Sequence, residues 1–201
     1  MKLNINDFIS TNDIRVYLHK PFNLNGKTVA TNGHCVVFSP LDNAFADNEM
    51  LETVTAGVLK IQNLMRQAEF IPLPQIKMPE TFPCMNCNAT GLCTSTVCEE
   101  CDGDGSVYFE NKYNSYAIEC ETCDGDGGIS MPGTGETCQT CHGTKKRFQL
   151  GSTVTLEGVK LNPELLEKII HVENIEISSD NARTMLFFWA GEFYGALMGM
   201  M

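Results

Sequence analysis

Two rhythms of apolar residues run through the first eighty positions. Ile14-Arg15-Val16-Tyr17-Leu18 alternates with the period of a strand. Asn25-Gly26 precedes the β-rich run 27–31, and Asn32-Gly33 precedes Cys35-Val36-Val37-Phe38, a pattern that predicts a hairpin. From about Ala56 to Phe70 the period lengthens, and Leu59, Ile61, Leu64, Met65 and Ala68 share one broad helical face. Pro72, Pro74 and Pro79 end that segment and predict an extended linker.

Core-forming sequence returns at residues 148–201. Thr153-Val154-Thr155-Leu156 reads as a strand. Asn162-Pro163-Glu164 is a helix start: a capping Asn, Pro at the first helical position and an acid in the first turn, with Leu165, Leu166, Ile169 and Ile170 as the stripe to be buried. Ile175-Glu176-Ile177 alternates, and 185–190 and 193–198 read as closing strands around Gly191-Glu192. Phe187, Phe188 and Trp189 are expected in the core and on an edge strand, or facing outward as a partner site. The fold class predicted is α+β, a mixed or antiparallel sheet with two helices, plus an inserted β-hairpin-rich module with little regular structure. Segments 1–79 and 148–201 are each short for a stable domain, so they are expected to fold together as one discontinuous domain around an inserted module at 80–147.

That middle stretch differs in kind. Between Cys84 and Phe148 it holds ten acidic residues against Lys112, Lys145, Lys146 and Arg147. It has many glycines and few large apolar side chains, so its own apolar groups cannot build a core and something else must hold it. The whole chain has a formal charge of −11, which argues against a broad, non-specific grip on nucleic acid. The start lacks a continuous apolar stretch and no run reaches the roughly 18 residues of a membrane span, so a soluble cytoplasmic protein is expected. In a reducing compartment, ten cysteines, most of them in tight pairs, point to metal rather than disulfides.

The pairs form a repeat. Cys84-x-x-Cys87, Cys98-x-x-Cys101, Cys120-x-x-Cys123 and Cys138-x-x-Cys141 share one spacing. The middle two continue identically as Asp102-Gly103-Asp104-Gly105 and Asp124-Gly125-Asp126-Gly127. The first has Ala89 at the inner glycine position, and the last has Lys145 at the outer one. Two cysteines three apart on a tight turn aim both sulfurs at one tetrahedral centre, and glycines after the second cysteine let backbone N–H groups turn toward the sulfurs. Four such knuckles make two sites. An all-thiolate zinc without an open vertex is structural rather than catalytic. The Asp-Gly-Asp segments mimic the start of a calcium loop, but Tyr113 and Gly135 stand where the closing Glu belongs.

Four repeats of this type resemble the cysteine-rich zinc domain of DnaJ-type co-chaperones, over about Cys84 to Thr144. The resemblance implies two zinc ions per chain: Cys84, Cys87, Cys138 and Cys141 hold one, and Cys98, Cys101, Cys120 and Cys123 hold the other. No His-Pro-Asp tripeptide is present, so the J domain of that family is absent. Eight thiolates and two Zn²⁺ would take the formal −11 to about −15. In the flanks, Ala30-Thr31-Asn32-Gly33-His34 and the ending Tyr194-Gly195-Ala196-Leu197-Met198-Gly199-Met200 are similar to one domain of a bacterial DNA polymerase sliding clamp. Gly199 stands where the clamp has Pro, and the clamp's final Arg is missing.

Cys35, beside Val36 and Val37, is expected as a buried free thiol, and Cys93 as a spare thiol or substitute ligand. His142 is expected to point away from the metal bound by Cys141, and His34 to act only if a site assembles around it. No Ser/His/Asp set or paired-carboxylate site is present, so no catalytic residue is assigned. The function expected is a non-enzymatic zinc-binding protein-interaction or scaffolding protein. One form of it is a phage-encoded acidic inhibitor that occupies a basic channel on its target. A clamp-like, DNA-associated homo-oligomer is the second reading. Chaperone-like binding or thiol–disulfide exchange is the third, ranked lower because exposed apolar groups on the module are expected to be few. Metal loss is expected to collapse only the insert, because the flanks carry their own core.

Overall fold

The computed structural model describes residues 3–10, 13–46, 52–138 and 140–200. The chain divides into two compact units, Met1–Pro79 with Leu150–Met201, and Glu80–Gln149. The first leg carries β1 (Phe22–Leu24), β2 (Lys27–Thr31), β3 (Cys35–Pro40), α1 (Glu52–Met65) and β4 (Ile71–Pro72). The middle unit carries β5 (Thr81–Pro83), β6 (Leu92–Val97), β7 (Ser106–Glu110), β8 (Ser115–Glu119), β9 (Gly128–Pro132), β10 (Glu136–Thr137) and β11 (Lys146–Phe148). The return leg carries β12 (Val154–Leu156), β13 (Val159–Leu161), α2 (Pro163–Glu167), β14 (Glu176–Ser179), β15 (Met185–Ala190) and β16 (Phe193–Met198).

The fold is α+β with antiparallel pairing. One seven-stranded sheet runs β1-β2-β3-β16-β15-β14-β4. Its two legs knit at its middle, where β3 pairs with β16 from Cys35↔Leu197 to Phe38↔Tyr194. Asn25 and Gly26 both take positive φ, 49° and 74°, which a two-residue turn between β1 and β2 requires. Successive side chains of the central strands enter different cores. Val37, Phe188 and Leu197 pack with Phe8, Leu161, Leu166 and Ile169 on one face. Val36, Phe38, Phe187 and Ala196 pack with Val58 and Met65 of α1 on the other. A sheet covered on both faces produces continuous apolar runs instead of alternation, as at 35–38 and 186–188.

Four local expectations are corrected. Ile14–Leu18 is not a strand: Val16–Leu18 is a single 3₁₀ turn. Asp13 accepts from the Arg15 backbone at 2.9 Å and its guanidinium at 2.7 Å, which closes a local turn. Ile14 (98% exposed) and Val16 (72%) face solvent, so the alternation does not mark a buried face. Helix α1 ends at Met65, before Phe70, and Val58 rather than Leu59 is its buried early residue. The proline segment is more than a linker. Ile71 and Pro72 pair with Ile177 and Glu176 at the sheet edge, where a missing N–H is tolerated, and Leu73, Ile76 and Met78 pack on the core. Finally, β15 lies inside the sheet, so Phe187 and Phe188 are core residues of an interior strand.

Candidate metal centres

Each CxxC pair sits in the same backbone trace. The residue after the second cysteine is left-handed in all four knuckles: Asn88, Asp102, Asp124 and His142 have φ between 47° and 51°. The next position is also positive, at Ala89, Gly103, Gly125 and Gly143, and so is the fourth, at Gly91, Gly105, Gly127 and Lys145. The worn repeats therefore keep the shape without the glycines. The trace aims amides at sulfur: the N–H groups of Gly91, Gly105 and Gly127 each donate to the preceding Cys87, Cys101 and Cys123 Sγ at 3.3 Å. The glycine spacing alone does not reveal these positions. The signal for them is the Asn, Asp, Asp and His at the first position, residue types enriched in left-handed backbone.

Knuckles then join in pairs by reciprocal hydrogen bonds. Cys98 N donates to Gly127 O at 3.0 Å and Cys120 N to Gly105 O at 2.9 Å. Cys84 N donates to Lys145 O and Cys138 N to Gly91 O, both at 2.9 Å. The second repeat thus faces the third, and the first faces the fourth. A Cβ on Gly105 would collide with the Gly125 carbonyl, and one on Gly127 with that of Gly103, so these positions admit only glycine. In the outer pair, Thr90 and Thr144 each donate to the carbonyl of the preceding cysteine, at 2.7 and 2.6 Å.

This pairing produces two tetracysteine groups: Cys84, Cys87, Cys138 and Cys141, and Cys98, Cys101, Cys120 and Cys123. All eight are buried, and within each group the sulfurs lie within 4.8 Å of one another. The Sγ–Sγ separations across the knuckles are 3.9 Å (Cys84–Cys138), 3.7 Å (Cys87–Cys141), 3.8 Å (Cys98–Cys120) and 3.7 Å (Cys101–Cys123). A tetrahedron with metal–sulfur bonds of about 2.3 Å has edges of about 3.8 Å. The donor set therefore fits a tetrahedral metal ion, and each group could hold one.

The acidities within each group are split. Burial works against ionisation, yet the N–H groups of Gly105 and Gly103 hold Cys101 down to about 7. Burial, with neighbouring sulfurs, pushes Cys120 up to about 12. In the other group, burial is outweighed at Cys138 by donors from Cys141, Cys93 and Thr140, which hold it down to about 6. Cys141 is pushed up to about 12, by burial first. Four thiolates at these distances would repel one another, and a divalent cation at the centre would let all four ionise.

Cys93 is buried against the first group, with its Sγ 3.9 Å from Asn86 O. It stands outside the four-sulfur set. Cys35 is buried far along the chain in β3, its thiol 3.1 Å from Asn32 Oδ1, and burial pushes it up to about 11. His34 is exposed and joins no group of potential ligands among the described residues. The expectation of few exposed apolar side chains on the middle unit is overturned. Met85, Val97, Tyr108, Phe109, Tyr113, Tyr116, Ile118 and Met131 are each about half exposed or more. No helix among the described residues is long and apolar enough to cross a membrane. No family model, no curated protein and no solved structure matches the chain.

Proposed function

We propose that this chain is a non-enzymatic, zinc-binding scaffold whose middle unit, resembling the DnaJ-type zinc domain, presents a surface for a partner protein. The observation that carries the reading is the closed, buried tetrathiolate geometry of both centres, with Sγ–Sγ edges of 3.7–3.9 Å. Zinc suits four thiolates in a tetrahedron, and with no vertex left for water or substrate such an ion is structural. The middle unit supports this need. Its buried hydrophobic residues are the cysteines themselves, with Val107 and Ile129 packed partly against the second group. Filled sites substitute for the core that its apolar residues do not build.

The test is chelation of the full-length protein followed by limited proteolysis. Stripping the metal is expected to open residues 80–149 to protease while a cooperative melt persists for the sheet-bearing unit, and added zinc restores protection. A middle unit equally protected without metal, or zinc-dependent turnover by the intact protein, contradicts the proposal.

A further inference from the structure

The second metal group carries an unusual hairpin. β7 and β8 form a two-stranded sheet by themselves, with Val107↔Ile118, Tyr108↔Ala117 and Phe109↔Tyr116 in register. Alternate side chains share a face. One face is therefore an apolar ladder of Val107, Phe109, Tyr116 and Ile118, and the other carries Ser106, Glu110, Ser115 and Glu119 beside Tyr108 and Ala117. Val107 leans on the second cysteine group. Phe109 (53% exposed), Tyr116 (48%) and Ile118 (53%) have no such cover.

Charge says what would cover them. Between Cys98 and Gly127 stand nine carboxylates (Glu99, Glu100, Asp102, Asp104, Glu110, Glu119, Glu121, Asp124 and Asp126), every one exposed, and a single cation, Lys112. A filled tetrathiolate site adds two further negative charges, because four thiolates outweigh one divalent ion. The lone cation already sits on an aromatic face, Lys112 Nζ lying 5.5 Å from the centre of the Tyr113 ring at the hairpin tip. Among the described residues neither outer edge of the hairpin is paired.

We propose that this hairpin docks an extended basic peptide segment of a partner protein, with apolar side chains laid on Phe109, Tyr116 and Ile118 and Lys or Arg side chains directed to the surrounding carboxylates. The proposal rests on the scaffold reading above and names the partner's chemistry. An extended segment fits because a free strand edge supplies backbone hydrogen bonds and the ladder takes alternate side chains. A cationic segment fits because the carboxylates repel an anionic one and steer this one on approach.

The test uses the full-length, zinc-loaded protein and three labelled synthetic decapeptides read by fluorescence anisotropy: one alternating Lys with Val, one with Glu for Lys, one with Ser for Lys. Saturable binding of the Lys peptide alone, weakened by salt, is expected. The double variant Phe109→Ser/Tyr116→Ser is expected to weaken it by about tenfold or more at unchanged zinc content. Glu110→Gln/Glu119→Gln, which leaves the ladder intact, is expected to weaken it and reduce its salt dependence. Equal binding of the Ser peptide would overturn the proposal in favour of general apolar capture. So would dimerisation of the protein that the double variant abolishes, which would give the ladder to a second copy. No binding of the Lys peptide by protein carrying two zinc ions would also overturn it. The zinc content of the same sample separates that failure from failure of the scaffold reading.

Discussion

At the scale of the residue, the knuckles show which substitutions the backbone tolerates and which it does not. Ala89 occupies a left-handed position, φ 57°, that costs an L-residue roughly 1 kcal/mol. Ala89→Gly is therefore expected to stabilise the metal-loaded middle unit by up to about 1 kcal/mol, less the entropy glycine adds to the unfolded chain. A raised midpoint for chelator-induced unfolding would register it. Gly105→Ala goes the other way. Its φ of 72° and the carbonyl of Gly125 both exclude a Cβ, so metal content is expected to fall from two ions toward one, with the Cys84 group still loaded. Cys35 supplies a pH test in the sheet. Burial raises it to about 11, against about 8.5 for an unfolded thiol. The folded state holds that proton more tightly, so the contribution is complete below about 8.5 and is lost as pH rises toward 11. Thermal midpoints across pH 8–11 should fall, and Cys35→Ala should flatten the slope. The cysteine spacing made all eight potential ligands legible in the sequence. The left-handed Asn, Asp and His beside them are harder to read, because these residue types adopt that conformation far less regularly than glycine does.

At the scale of the element, legibility followed locality. The turn at Asn25-Gly26 and the cap at Asn162, whose side chain accepts from Glu164 N at 2.8 Å, are local chemistry and stand where the residues place them. Ile14–Leu18 failed because alternation cannot tell which of two apolar positions meets a core. Pro72 failed because its edge pairing with Glu176 depends on residues a hundred positions away. The turn from β14 to β15 makes a clear prediction. Asp180 Oδ1 accepts from Thr184 N and Met185 N, and Oδ2 from Thr184 Oγ1, all at 2.7 Å. Burial opposes ionisation there, but these donors hold the carboxyl below its ordinary range. Its contribution is thus present above about pH 4 and lost as pH falls through the folded value. Asp180→Ala is expected to cost about 1 kcal/mol at pH 7, with solvent screening allowed for, and progressively less as the pH falls through the folded value. Denaturant titrations at neutral pH and across the acid range would show the trend.

At the scale of the whole molecule, the central feature is that the middle unit closes on itself at its two ends. Thr81 pairs with Phe148 and Pro83 with Lys146, so its two ends run side by side. The sheet is completed without it, by β3 against β16. Replacing residues 80–149 with a short Gly/Ser linker is expected to leave a unit that melts cooperatively, and loss of that transition on excision would show that the sheet depends on the insert. In the sequence the change near residue 80 shows as a shift in composition. The exposed apolar face of hairpin β7–β8 is not legible in the same way, because the sequence does not show which apolar side chains find a covering partner.

The most direct test of the two-centre account is the metal content of the full-length protein by mass spectrometry under native and then denaturing conditions. Two zinc ions per chain, both released on denaturation and one of them lost in Cys98→Ser/Cys120→Ser, is the expected result. A single ion, or none with reactive thiols in both groups, would contradict the paired tetrathiolate centres and the scaffold built on them.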